Sequence, residues 1–350
     1  MQKATLFRKK PNNAVRCTAC QQYCTIPEGG TGICGVRLNQ EGELYLVVYG
    51  KPCSINLDPV EKKPLFHFLP GTQIFSLGTF GCNFACSFCQ NWDISQATRE
   101  IKVQCENAEQ QKSQILSLAD SFEEWEPKKI VDYCTMHKIP SIAYTYNEPA
   151  IFFEYAYDTA KLAHKNGIKN VFVSNGYESE EALKKMKGII DAMNIDLKAF
   201  TEGFYARNCR AKLQPVLETI KLANKLGIWV EVTTLIIPGE NDSDAELKSI
   251  AEFIAGVDRN IPWHVTQFHP DFKMLERPAT PIATLEKAYK IGKGTGLKFV
   301  YVGNAVTERE NTYCPKCGKL LVKRIGYSID AIGMENGRCG CGEKIPGIWK

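Results

Sequence analysis

Eleven of the fifteen cysteines in this 350-residue chain fall in three tight groups: Cys17, Cys20, Cys24 and Cys34; Cys82, Cys86 and Cys89; and Cys314, Cys317, Cys339 and Cys341. Thiolates a few residues apart can converge on one ion or cluster, so three short stretches are committed to metal-sized loops before any hydrophobic pattern is considered. The cysteine content lies well below the ~8–10% of small disulfide scaffolds. Met1–Arg16 has no signal-peptide apolar core, and no apolar run approaches the roughly 18 residues of a membrane span. The expectation is a soluble cytoplasmic protein whose clustered thiols are ligands, because a reducing compartment disfavours disulfides. Cys53, Cys105, Cys134 and Cys209 stand alone and read as buried small hydrophobes.

Between the cysteine groups, short β-branched runs alternate with amphipathic stretches. Candidate strands are 74–79, 141–146, 170–174, 192–197, 229–236, 264–268 and 298–302. Pro127 opens a helix that runs through His137, and Gly167 and Gly227 stop two others. Such alternation predicts an α/β fold with a parallel sheet, either a partly closed barrel or an open doubly wound sheet. Three regions are expected: a Cys-rich amino-terminal segment and connector (1–72), the α/β core (73–305) and a short Cys-rich tail (306–350) too small to form a core without a staple. With 44% hydrophobic residues and a net charge of 43 − 39 = +4, the chain can bury a full core and is too balanced for a polycation. Nucleic-acid and membrane-surface binding are therefore not expected.

The string Gly81-Cys82-Asn83-Phe84-Ala85-Cys86-Ser87-Phe88-Cys89 has the spacing C-x3-C-x2-C, directly after the first core strand. A closed zinc site needs four ligands, and within fifteen residues upstream of Cys82 or downstream of Cys89 the only other Cys or His is His67. Three thiolates suit a 4Fe-4S cluster with one iron left open to the amino and carboxylate groups of a small molecule.

This motif, with Phe88 at its aromatic position, resembles that of the radical S-adenosylmethionine (SAM) superfamily. The strings Arg16-Cys17 to Arg37, Asp58-Pro59-Val60-Glu61-Lys62-Lys63-Pro64-Leu65 and Cys89-Gln90-Asn91-Trp92-Asp93-Ile94-Ser95-Gln96 resemble the AmmeMemoRadiSam-system enzymes, relatives of the pyruvate formate-lyase activating enzymes. The resemblance implies a partial (βα)6-type barrel. It also implies reductive cleavage of SAM at the 4Fe-4S cluster to a 5′-deoxyadenosyl radical, which takes hydrogen from a substrate. The substrate is expected to be a protein, through glycyl-radical activation or side-chain modification. Memo-like or Ammecr-type proteins are the partners implied, with ferredoxin or flavodoxin as electron donor.

In βα barrels functional residues gather where strands end. By the same resemblance, Asn147-Glu148-Pro149 stands where the family holds the SAM amino group, with Tyr146-Asn147 replacing two glycines. Ser174-Asn175 and Asp196-Leu197-Lys198 stand where it meets the carboxylate and ribose, a role their hydrogen-bonding groups suit. Ile236 offers an apolar lip for adenine, and Asn304 would complete the adenosine pocket. His269, after the sixth strand, is a candidate catalytic proton carrier, since imidazole titrates near neutral pH. Simple turns and solvated ion pairs remain alternatives at each of these positions.

The tail pattern C-x2-C-x21-C-x-C resembles a zinc ribbon, and four thiolates favour tetrahedral zinc. Cys17, Cys20, Cys24 and Cys34 fit either zinc or a second iron-sulfur cluster, and spacing does not separate the two. Two other functional classes are open: an iron-sulfur carrier or redox sensor that never cleaves SAM, and a zinc-ribbon nucleic-acid-binding protein.

Overall fold

The computed structural model describes every residue except Val306 and Lys350. The expected boundary near residue 306 thus falls outside the described residues. The chain divides into two compact units, Met1–Leu57 with Ile74–Asp191, and Asp58–Gln73 with Ala192–Lys350. Among the described residues no helix is long and apolar enough to cross a membrane.

In the first unit, β1 (Gln73–Gly78), β2 (Ser141–Tyr144) and β3 (Lys169–Ser174) lie side by side and parallel, with Phe75 opposite Ile142 and Val171 opposite Ala143. β2 is buried at every position, and β1 at all but its first, which is why these strands read as continuous apolar runs rather than alternating ones. Helix α1 (Pro127–Met136) precedes β2 with proline in its first turn, and α2 (Phe153–Lys165) precedes β3. Gly167 ends α2 in the left-handed region, at φ +73° with open space around it. Two small antiparallel sheets also belong to this unit. One is Phe7–Lys9, Val15–Cys17 and Thr25–Ile26; the other is Gln2–Lys3, Glu43–Leu46 and Arg37–Gln40. Arg37 is buried and pairs with buried Glu154 of α2 at 2.6 Å.

The second unit repeats the pattern with β4 (Ala192–Asp196), β5 (Trp229–Ile236), β6 (Trp263–Gln267) and β7 (Val300–Gly303), parallel in that order. All seven core strands coincide with the runs expected from sequence to within two residues at each end. The tail forms an antiparallel sheet of Thr312–Tyr313, Leu320–Ile325 and Ser328–Ile332. It packs Cys314, Leu321, Val322, Cys339 and Ile345 against Phe66, Phe299 and Tyr301. A buried polar chain fixes that packing: His67 Nε2 lies 2.6 Å from Tyr301 Oη, Tyr301 Oη 2.9 Å from Thr312 Oγ1, and Arg324 donates to the Phe66 carbonyl at 2.7 Å. Burial pushes the His67 imidazole down to about 4, so it is neutral in this network. Of the lone cysteines, Cys134 and Cys209 are buried, whereas Cys53 and Cys105 are half-buried.

Candidate functional site

The loop after β1 carries Cys82 and Cys86, both buried, and half-buried Cys89. Its path depends on Gly81, at φ +86°, where a Cβ would meet the Cys34 carbonyl oxygen at 2.5 Å. The loop is braced from several sides. Arg99 donates to the carbonyls of Cys82 (3.4 Å) and Phe84 (3.2 Å), and Asn147 donates to the Gly81 carbonyl at 2.9 Å and to Thr79 Oγ1 at 3.1 Å. Asn147, expected to contact a cofactor, thus has its amide on the backbone and hydroxyl that precede the cysteines. Cys82 Sγ accepts from the Phe84 N–H at 3.4 Å and from Asn175 Nδ2 at 3.7 Å, and Cys89 Sγ lies 3.1 Å from Ser95 Oγ. Burial, then the charge of Glu148, pushes the Cys82 thiol well up, so as a bare thiol it is neutral; a cation at this position would favour the thiolate. Phe88 is buried within the same loop.

Tyr146 stands at φ +71°, a conformation that glycine adopts freely and tyrosine rarely does. The tyrosine therefore keeps a glycine-like backbone at a position where the family resemblance expects glycine. Two residues on, buried Glu148 caps the turn Pro149–Phe152 by accepting from Ala150 N at 3.0 Å. Its carboxylate also accepts from Ser174 Oγ at 3.0 Å and from Asn175 N at 2.8 Å. The ends of β2 and β3 thereby join in one buried polar cluster. Sequence reading missed a fourth member, Glu178, fully buried and pushed up to about 8 by burial and by the charge of Glu148. That donor set fits a cationic amine among acceptors, and the neighbouring thiols fit iron.

In the second unit, Asp196 ends β4 and pairs with buried Lys198 at 2.7 Å. The Lys198 backbone is fixed as well: its N–H donates to Tyr205 Oη at 3.0 Å, and its carbonyl accepts from Asn241 Nδ2 at 2.6 Å. Ile236 is buried at the end of β5, and Asn241 bridges the turn that follows by accepting from Ile237 N at 2.7 Å. His269 and Asn304 are exposed after β6 and β7, the latter at φ +58°.

Among the described residues, Cys314, Cys317, Cys339 and Cys341 are the four thiols whose sulfurs all lie within 4.8 Å of one another. The Cys314–Cys341 and Cys317–Cys339 pairs are 3.7 and 3.6 Å apart. Zinc–sulfur bonds of ~2.3 Å in a tetrahedron imply edges of about 3.8 Å, so one ion of this size fits. Each half turns back on its first cysteine, and the first turn is one residue longer, which takes up the difference in spacing. Gly318 N donates to the Cys314 carbonyl at 2.9 Å and Gly342 N to the Cys339 carbonyl at 2.8 Å.

The radical SAM superfamily pattern matches residues 77–254, half of the chain, and this span begins one residue before the end of β1 and contains the three-cysteine loop. The chain belongs to the radical SAM superfamily. A radical SAM domain implies SAM and a 4Fe-4S cluster. An uncharacterized protein of Methanocaldococcus jannaschii is 46% identical over 99% of both chains. Another protein of that organism, provisionally named a glycyl-radical enzyme activating enzyme, is 27% identical over 55% of this chain and 66% of its own. Among solved structures, a domain of a pyruvate-formate lyase-activating enzyme from Bacteroides vulgatus is similar at 18% identity and TM-score 0.42, covering 46% of this chain and 98% of that one. A radical SAM methyltransferase from Sphaerobacter thermophilus is similar at 13% identity and TM-score 0.48, covering 72% and 71%.

Proposed function

We propose that the protein is an activating-enzyme-like radical SAM oxidoreductase of the AmmeMemoRadiSam kind, acting on a protein substrate. The observation that carries the reading is the braced three-cysteine loop lying beside the buried Glu148–Ser174–Asn175 cluster. Bound there, a 4Fe-4S cluster and SAM supply reductive C–S cleavage to a 5′-deoxyadenosyl radical. Cys82, Cys86 and Cys89 would hold the iron, and Arg99 and Asn147 keep their loop in place. Glu148 offers a buried negative charge to the amino group of SAM, while Glu178, when protonated, can donate a hydrogen bond. Lys198 suits a carboxylate or ribose only if it shares its amine with Asp196, whose ion pair holds it ready. By the family resemblance Phe88, Ile236 and Asn304 would be the residues assigned to the adenosine, and His269 the proton carrier.

The core would be a partial (βα)6-type barrel and the tail a zinc ribbon, its four thiols at tetrahedral spacing. The substrate would be a Memo-like or Ammecr-type protein, with ferredoxin or flavodoxin as donor. The relative named for glycyl-radical activation supports the protein-substrate reading. The test is anaerobic reconstitution with dithionite and SAM, quantifying 5′-deoxyadenosine beside a Cys89→Ala control. Turnover in the intact protein that the control lacks is the expected result. A loaded cluster that binds SAM and yields no 5′-deoxyadenosine even with candidate partners overturns the reading in favour of a carrier or sensor.

A further inference from the structure

We propose that Cys17, Cys20, Cys24 and Cys34 bind a second iron-sulfur cluster, seated against the three-cysteine loop. The inference deepens the radical SAM reading and rests on it. Cys17, Cys20 and Cys34 are buried, Cys24 is half-buried, and none forms a disulfide. The local fold gathers them: Arg16 lies opposite Thr25 in the sheet, bringing the chain at Cys17 back beside Cys24, and a Cβ on Gly32 would touch both Ile26 Cδ1 (3.4 Å) and Cys34 Sγ (3.7 Å). Among the described residues, however, only the tail's thiols close to within 4.8 Å as a set. Four thiols that do not close to that distance suit a polynuclear group better than a single zinc ion, whose tetrahedron has edges of about 3.8 Å. In this the amino-terminal set matches Cys82, Cys86 and Cys89, the family's cluster ligands, and differs from the tail.

Local structure builds the frame. The Cys17 N–H donates to the Cys24 carbonyl at 2.9 Å, closing the first three cysteines into one loop, and Gly35 at φ +81° turns the chain after the fourth. Buried Arg37, besides pairing with Glu154, acts electrostatically on Cys17 and Cys34, a cation placed where a thiolate-ligated cluster concentrates negative charge.

Position supplies the role. Gln22, inside the loop, donates to the Asn83 carbonyl at 3.0 Å, beside Cys82. Thr98 Oγ1 donates to the Cys34 carbonyl at 3.0 Å, and that same carbonyl sits against Gly81. Cys20 forms a β-bridge with Glu178. Zinc carries no electrons, whereas an iron-sulfur group so placed accepts one from a low-potential ferredoxin- or flavodoxin-type donor. It then gives one to the cluster on Cys82, Cys86 and Cys89 and returns to its starting state.

The test is metal and sulfide analysis with electron paramagnetic resonance on anaerobically reconstituted full-length protein. The triple variant Cys82→Ala, Cys86→Ala, Cys89→Ala should retain about four iron and four sulfide per chain, half the content of the intact protein, and show a cluster signal on dithionite reduction. Cys24→Ser, altering the half-exposed ligand, should lose that signal while keeping the other cluster and binding SAM. An iron-free triple variant overturns the proposal, whether the vacated iron is replaced by a second zinc or by nothing. Failure of the radical SAM reading looks different: Cys24→Ser protein would then bind neither iron nor SAM.

Discussion

Gly81→Ala tests the close approach between the amino-terminal cysteine segment and the three-cysteine loop, and Gly167→Ala is its control. Both glycines belong to the first unit and both have positive φ, +86° and +73°. A left-handed non-glycine residue costs roughly 1–2 kcal/mol, so the backbone term is common to both variants. Around Gly167 a Cβ would find nothing within 4 Å, whereas at Gly81 it would meet the Cys34 carbonyl at 2.5 Å and Val36 Cγ1 at 3.1 Å. That carbonyl is held by Thr98 Oγ1, so moving it sacrifices a hydrogen bond of about 1 kcal/mol. Overpacking adds about 1–3 kcal/mol. Gly81→Ala should therefore destabilise by about 2–4 kcal/mol more than Gly167→Ala, the sum of those two terms. Urea denaturation of the metal-free protein, followed by circular dichroism without oxygen, reads the difference, and iron loading of the Gly81 variant should fall with it. Equal losses in the two variants would refute the close approach, and with it the argument that the two cysteine sets share a wall.

Three further outcomes follow from particular side chains. Because the Glu178 carboxyl is raised from 4.5 to about 8, its contribution to stability is fully present below pH 4.5 and is lost as pH rises toward 8. Glu178→Gln should flatten the fall in urea midpoint over that window, and parallel curves for variant and parent would contradict the assignment. Arg37 and Glu154 are both nearly inaccessible, so Arg37→Met alone should cost about 3–5 kcal/mol by leaving a buried carboxylate unpaired. Arg37→Met with Glu154→Gln should recover most of that in thermal unfolding, and a double variant no better than the single would show that the pair does not act as a unit. In the tail, if the four thiols hold zinc as proposed, Cys317→Ser should abolish that metal's binding and expose residues 312–349 to protease, leaving iron content unchanged; loss of iron instead would place the tail's thiols in an iron site.

The core strands and the three cysteine groups were legible in the sequence because both are local signals. A parallel strand buried on both faces is a contiguous apolar run, and a metal loop draws its ligands from neighbouring residues. Glu178 and Arg37 were not legible, because burial makes a charge informative and burial comes from distant partners: Glu154 lies 117 residues from Arg37, and Glu178 meets Cys20 through a single bridge. Tyr146 misleads in another way. As a letter it departs from the family's glycines, yet its φ of +71° keeps their backbone, so what changes at this position is the side chain and not the path of the chain.

Metal identity shows the same division between spacing and space. The tail's second pair, Cys339 and Cys341, looks irregular beside Cys314 and Cys317. Gly342 nonetheless closes a turn one residue shorter than Gly318 does, and the four sulfurs still reach one small volume. The amino-terminal thiols, by contrast, do not close so tightly as a set. Sequence counts the ligands of a site, whereas the distance between their sulfurs sets the size of what they can hold. A single ion requires that distance to be short, and a cluster requires that it be long.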